Sequence, residues 1–135
     1  MRCIFSLIVM VLASASWADN EVLLQAGMRA YSSGTIPQAR QFWQALATAG
    51  HAEAQLFLAH SYAQGPEQPR DYATAARWYQ AAAAQGLPEA QYQLGLLYET
   101  GLGVPKNPDQ AHYWYQQVTA QGFCPGTLNP AGRLE

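Results

Sequence analysis

The sequence predicts an all-α chain, an α/α solenoid of three stacked helical hairpins, and three observations carry that reading. First, Gly50, Gly86 and Gly122 lie 36 residues apart. Second, Ala54 and Ala90, Tyr62 and Tyr98, and Trp78 and Trp114 share that offset, while Trp43 precedes Trp78 by 35. Third, apolar or small residues recur at helical spacing inside each unit, as at Ala90, Leu94, Leu97 and Tyr98. A fixed period of this size marks tandem hairpins, none of which buries its apolar face alone. A plain helical bundle has no reason to keep one.

The units run over about 21–50, 53–86 and 89–122, between a leader over 1–18 and an irregular tail over 123–135. The first helix of each carries a small residue at its middle: Gly27, Ala59 and Gly95. Glycine inside a helix costs roughly 1 kcal/mol against alanine, so close approach of the paired helix is expected there. The second helix carries aromatics, as in Ala111-His112-Tyr113-Trp114-Tyr115. Its start is marked by Asn107 as cap, Pro108 in the first turn and Gln110 to close a capping box. Thr35 with Gln38 offers the same box in the first unit, and Asp71 is the expected cap in the second. Gly50, Gly86 and Gly122 are placed to end these helices in the left-handed conformation. After Gly122 the pattern stops, and Phe123-Cys124-Pro125-Gly126 and Asn129-Pro130-Ala131-Gly132 read as turns.

The pattern Ala90…Leu94-Gly95…Tyr98…Gly101…Gly103-Val104…Ala111…Trp114-Tyr115…Gly122 resembles the Sel-1-like repeat, a subfamily of the tetratricopeptide repeats. Ala54…Leu58-Ala59…Tyr62…Gly65…Ala75…Trp78-Tyr79…Gly86 is similar, with Gly65-Pro66-Glu67-Gln68-Pro69 in place of the Gly-x-Gly-Val joint. Gly27…Gly34…Ala39…Trp43…Leu46 resembles an ordinary tetratricopeptide unit with a shorter joint. The resemblance implies a solenoid used as a protein–protein interaction scaffold, in settings such as envelope assembly, motility or polysaccharide export. It names no partner, and fold alone confers no function.

Met1 to Ala18 reads as a secretory signal: Arg2, an apolar run over Ile4–Ala13, then Ser16-Trp17-Ala18. Cleavage is expected after Ala18, with Ala15 as the alternative, and a periplasmic or secreted location follows. The run is short for a span of about 20 apolar residues, so no stable membrane anchor is expected after cleavage. Losing Arg2 takes Lys plus Arg from 7 to 6 while Asp plus Glu stays at 9, leaving a net charge of −3. A weakly acidic chain without a basic patch speaks against nucleic acid and anionic lipid as partners. Cys124 is then the one remaining cysteine. It is either an incidental tail residue or a link to another chain, and the uncovered last hairpin is a second route to an oligomer.

Candidate chemistry is sparse. His51, His60 and His112 show no metal-ligand spacing, so no metal or other cofactor is expected. Beyond the leader the serines are Ser32, Ser33 and Ser61, and Ser61-Tyr62-Ala63-Gln64 lacks the lysine of a Ser-x-x-Lys nucleophile. Glu21, Glu53 and Glu89 recur near the start of each first helix, where carboxylates complement the dipole by about 0.3–1 kcal/mol. An enzyme is therefore not expected; a small cell-wall-active hydrolase is the rival class, and a structural subunit of an envelope complex the other alternative. What remains is a surface. Aligning the units as tetratricopeptide hairpins puts Leu24, Met28, Tyr31, Leu56, His60, Tyr92, Leu96 and Glu99 on the inner wall, facing a protein or peptide partner. For Leu24, Leu56 and Tyr92, a place in the core between hairpins is an equal alternative.

Overall fold

The computed structural model describes residues 2–66 and 70–122, with side chains from Trp17 onward. The tail with Phe123 and Cys124, and Glu67 to Pro69 of the second joint, lie outside the described residues. Six helices follow one another: α1 (Arg2–Ser32), α2 (Ile36–Thr48), α3 (Ala52–Ala63), α4 (Tyr72–Ala84), α5 (Pro88–Thr100) and α6 (Pro108–Ala120). Each packs against the next in chain order, so hairpins α1–α2, α3–α4 and α5–α6 stack into the solenoid that the period predicts. Among the described residues there is no strand, and no helix is long and apolar enough to cross a membrane.

The caps divide by loop length. Asp71 caps α4: the Thr74 amide donates to Oδ1 at 3.0 Å and the Thr74 hydroxyl to Oδ2 at 2.6 Å. Asn107 caps α6, with Oδ1 accepting from the Gln110 amide at 3.2 Å. In both hairpins the cap residue's own amide also reaches back to the first helix, to Tyr62 O from Asp71 and to Tyr98 O from Asn107. Thr35 does not cap α2, contrary to the sequence reading. Three residues join α1 to α2, and the tight turn folds Thr35 over α1, where its hydroxyl donates to Ala30 O at 2.9 Å. Glu21 is a second correction. It lies inside α1, which runs unbroken from Arg2, whereas Glu53 and Glu89 occupy the first turns of α3 and α5.

The Thr74 hydroxyl, and after it the Thr74 amide, hold the Asp71 carboxyl below its ordinary range. Replacing Asp71 by alanine should cost about 1 kcal/mol at neutral pH. A carboxyl with a depressed folded pKa stabilises above its unfolded value, about 3.9, and loses that contribution as pH falls toward the folded value. In urea melts the gap between wild type and Asp71→Ala should therefore hold down to about pH 4 and shrink below it.

Gly50, Gly86 and Gly122 take φ of +94°, +91° and +80°. Behind the first two, the amides of His51 and Leu87 return to Leu46 O and Ala82 O at 3.1 and 3.3 Å. The small residues of the first helices serve a packing purpose. A Cβ on Gly27 would run into the Trp43 indole, and one on Gly95 would lie 2.5 Å from Tyr115 Cε1. Tyr79, in the same relation to the middle hairpin, shares a core cluster with Ala59. This corrects the register of the first unit. Trp43 is the counterpart of Tyr79 and Tyr115, each 36 residues on, and Phe42 is the counterpart of Trp78 and Trp114.

Two core clusters result. One gathers Leu24, Ala39, Trp43, Leu46, Ala54 and Leu58, the other Leu56, Ala59, Ala75, Tyr79, Ala90 and Leu94; Tyr62 and Trp78 pack against both. Leu24 and Leu56 are thus buried, so of the two readings the sequence left open for them, the structure takes the core.

The hairpins are also joined by a glutamine ladder. Buried Gln55 donates from Nε2 to Ala47 O at 3.1 Å, and its Oε1 accepts from Gln85 Nε2 at 2.9 Å. One unit later Gln91 donates to Ala83 O at 3.2 Å and accepts from Gln121 Nε2 at 2.8 Å. Each rung meets a carbonyl near the end of the preceding second helix and is closed by the last residue before the following glycine. Gln91→Leu removes both hydrogen bonds, while Ala83 O keeps the Gly86 amide and exposed Gln121 can turn to water, so the loss should be about 0.5–1.5 kcal/mol. Chemical denaturation of the variant checks this.

Candidate functional site

A cavity of about 420 Å³ opens on the side of the first helices. Met28, Tyr31 and Ser32 of α1 form one wall, and Phe57, His60 and Gln64 of α3 the other. Trp43 of α2 and Glu89 at the start of α5 complete the lining. Three of the eight residues expected on the inner wall, Met28, Tyr31 and His60, therefore meet in one groove. The other five lining residues, Ser32, Trp43, Phe57, Gln64 and Glu89, are not among the eight expected from the sequence. The 36-residue offset from Trp43 to Tyr79 and Tyr115 is the signal that points to Trp43, and Glu89 shows in the sequence only as a partner of the helix dipole.

The aromatic lining is continuous. The Trp43 ring lies between Tyr31 and Phe57, with centroids 5.6 and 5.5 Å away and planes tilted by 40° and 32°. Trp43 itself is almost wholly buried, and its Nε1 lies against Gly27 with no hydrogen-bond partner among the described residues. Met28 is 41% exposed, so the groove's rim offers a flexible apolar side chain to solvent.

His60 ties the groove to two other helices. The Tyr79 hydroxyl is 2.8 Å from His60 Nδ1, and His60 Nε2 is 3.2 Å from Glu89 Oε1. Burial, and after it the nearby Glu89, push the Tyr79 phenol well above its ordinary range, so it stays protonated. With Tyr79 donating to Nδ1, a neutral imidazole carries its proton on Nε2 and donates it to Glu89. The chain tyrosine–histidine–glutamate has the order of a catalytic relay, but the hydroxyl at its end belongs to a side chain only 1% exposed. The arrangement positions Glu89 across the joint between hairpins two and three.

Ser61, the residue on which a hydrolase reading would depend, is buried and committed. Its hydroxyl donates to Leu58 O at 2.7 Å and accepts from Arg40 Nε at 3.1 Å. Arg40 also donates to Ser61 O at 2.7 Å and lies 4.1 Å above the Tyr62 ring, joining hairpin one to hairpin two. Among the described residues no three of His, Cys, Asp and Glu group as metal ligands.

The remaining inner-wall residues lie on the third hairpin, away from the cavity. Tyr92 packs on Tyr115 at 5.7 Å, and the Tyr115 hydroxyl donates to Glu99 Oε2 at 2.6 Å. Burial, with that hydrogen bond second, raises the Tyr115 phenol above its ordinary range. Leu96 is half-buried beside them. On the last helix Tyr113 is 48% exposed.

The Sel1 repeat model matches residues 52–87 and 88–123. The chain belongs to the Sel1 repeat family. The first hairpin falls outside both matched spans, in keeping with its shorter joint and different register. Two solved structures are similar. A Sel1 repeat protein from Oxalobacter formigenes is 31% identical over 73% of this chain, with a TM-score of 0.66. A protective antigen present in uropathogenic Escherichia coli strains, displaying an SLR fold, is 28% identical over 91% of this chain, with a TM-score of 0.71. The chain spans 40% of the first and 26% of the second. No curated protein matches it. Sel1 repeats are generally protein-interaction scaffolds.

Proposed function

We propose that this chain is a non-enzymatic scaffold that takes a segment of a partner protein into the groove between α1 and α3, outside the cytoplasm. The single observation that carries the reading is the groove itself: an open, aromatic-floored cavity of about 420 Å³ between α1 and α3. A largely apolar concavity with a few polar groups suits a side chain presented by a peptide or helix. The proposed location rests on the leader pattern of Met1 to Ala18. Cleavage after Ala18 would give α1 a new start near Asp19, placing Glu21 in a first turn like Glu53 and Glu89.

The test is affinity capture from an envelope fraction with wild type, Met28→Asp and, as control, Gln80→Ala on the exposed face of α4. Partner recovery should fall by about tenfold or more with Met28→Asp and stay unchanged with Gln80→Ala. Equal recovery by all three would remove the groove assignment.

A further inference from the structure

We propose that the groove is built for an arginine side chain of the partner segment, with its guanidinium on the Glu89 carboxylate and its stem along Tyr31 and Phe57. This deepens the partner-binding reading and rests on it. Of the lining residues Glu89 alone carries a formal charge when His60 is neutral, and no lysine or arginine lines the cavity. Arg29 is on α1 but outside the lining, and Arg40 is turned to Ser61 and Tyr62. Glu89 is half-buried, at 32% side-chain exposure; Oε1 is held by His60, and Oε2 carries no hydrogen bond among the described residues. His60, anchored by Tyr79, thus fixes the carboxylate while leaving one oxygen open beside the aromatic wall.

That combination discriminates among occupants. A purely apolar side chain would strip water from Glu89 and return nothing. An ammonium would meet the charge as a compact, strongly hydrated point. A guanidinium is planar and weakly hydrated; it stacks on ring faces and still directs N–H groups at a carboxylate. The chain's net charge of −2 also favours a cationic partner segment.

The test titrates the whole chain with the blocked peptide acetyl-Ala-Leu-Arg-Leu-Ala-amide and with analogues carrying citrulline, lysine or norleucine in place of arginine. Citrulline keeps the shape and loses the charge. Isothermal titration up to about 1 mM peptide should rank arginine first, about tenfold tighter than citrulline, with lysine between them. Glu89→Gln should erase the arginine–citrulline difference, and Glu89→Asp should keep part of it. Glu53→Gln, at the equivalent first turn of α3 and outside the cavity, should leave it intact; circular dichroism confirms that each variant is helical. Absence of arginine-peptide binding, equal binding of arginine and citrulline, or equal losses in Glu53→Gln and Glu89→Gln would each overturn the proposal. If envelope capture is lost with Met28→Asp but untouched by Glu89→Gln, the arginine assignment falls and the groove reading stands. If neither variant changes capture, the groove reading itself falls.

Discussion

Replacing Tyr79 by alanine is expected to destabilise the protein by about 3–5 kcal/mol, the range for removing a large buried aromatic side chain. Tyr79 is 1% exposed and sits among Leu56, Ala59, Ala75, Ala82, Ala83, Ala90 and Leu94, where most neighbours are too small to collapse into the space left behind. It also meets the His60 ring edge-on at 5.4 Å. Tyr79→Phe keeps the ring and removes only the hydroxyl, leaving His60 Nδ1 without its donor, at a cost of about 1–2 kcal/mol. Urea denaturation of the two variants separates the contributions. Equal losses would mean that the hydrogen bond, and not the volume, holds the middle hairpin together.

Gly103→Ala should cost about 3 kcal/mol or more, although its side chain gains a single methyl group. Gly103 has φ +73°, where an L-residue costs about 1–2 kcal/mol. In addition its Cβ would strike the Tyr72 carbonyl and Ala73 amide at the start of α4. Backbone cannot rotate aside as a side chain can, so the loop must lift from α4, loosening hairpin three from hairpin two. Gly34 provides the contrast. Its φ is +84°, but nothing lies within 4 Å of a Cβ built there. Gly34→Ala should cost only the conformational part, about 1–2 kcal/mol. If thermal melts give both variants the same loss, contact between the third joint and α4 contributes nothing.

The stack, its helix ends and its small mid-helix residues were legible because each is a local or periodic property. The caps at Asp71 and Asn107, the left-handed Gly50, Gly86 and Gly122, and the crossings at Gly27 and Gly95 all follow from residue type at a fixed offset. Thr35 failed because capping competes with any nearby carbonyl, and a three-residue joint supplies Ala30 O. Matching tryptophan to tryptophan puts Trp43 one position out of register, because the packing keeps a ring at that place, whether indole or phenol. The glutamine ladder had the right period all along. A polar residue at a helical core position is read as surface until its partners are known, and those lie 8 and 30 residues away. The groove needed three dimensions. His60, Tyr79 and Glu89 are 19 and 29 residues apart, and no local pattern fixes the phase that brings them together.

The glutamine rungs bear on how such a chain can lengthen or shorten over generations. Each buried amide side chain faces both ways, its Nε2 satisfied by the hairpin before and its Oε1 by the glutamine that follows the second helix of its own hairpin. A whole unit spliced in between Gly86 and Leu87 would inherit a neighbour for each end, provided it kept glutamine at the places of Gln91 and Gln121. A fragment of any other size would leave a buried glutamine amide without the carbonyl it donates to. Growth by duplication is therefore quantised, and the quantum is one complete hairpin.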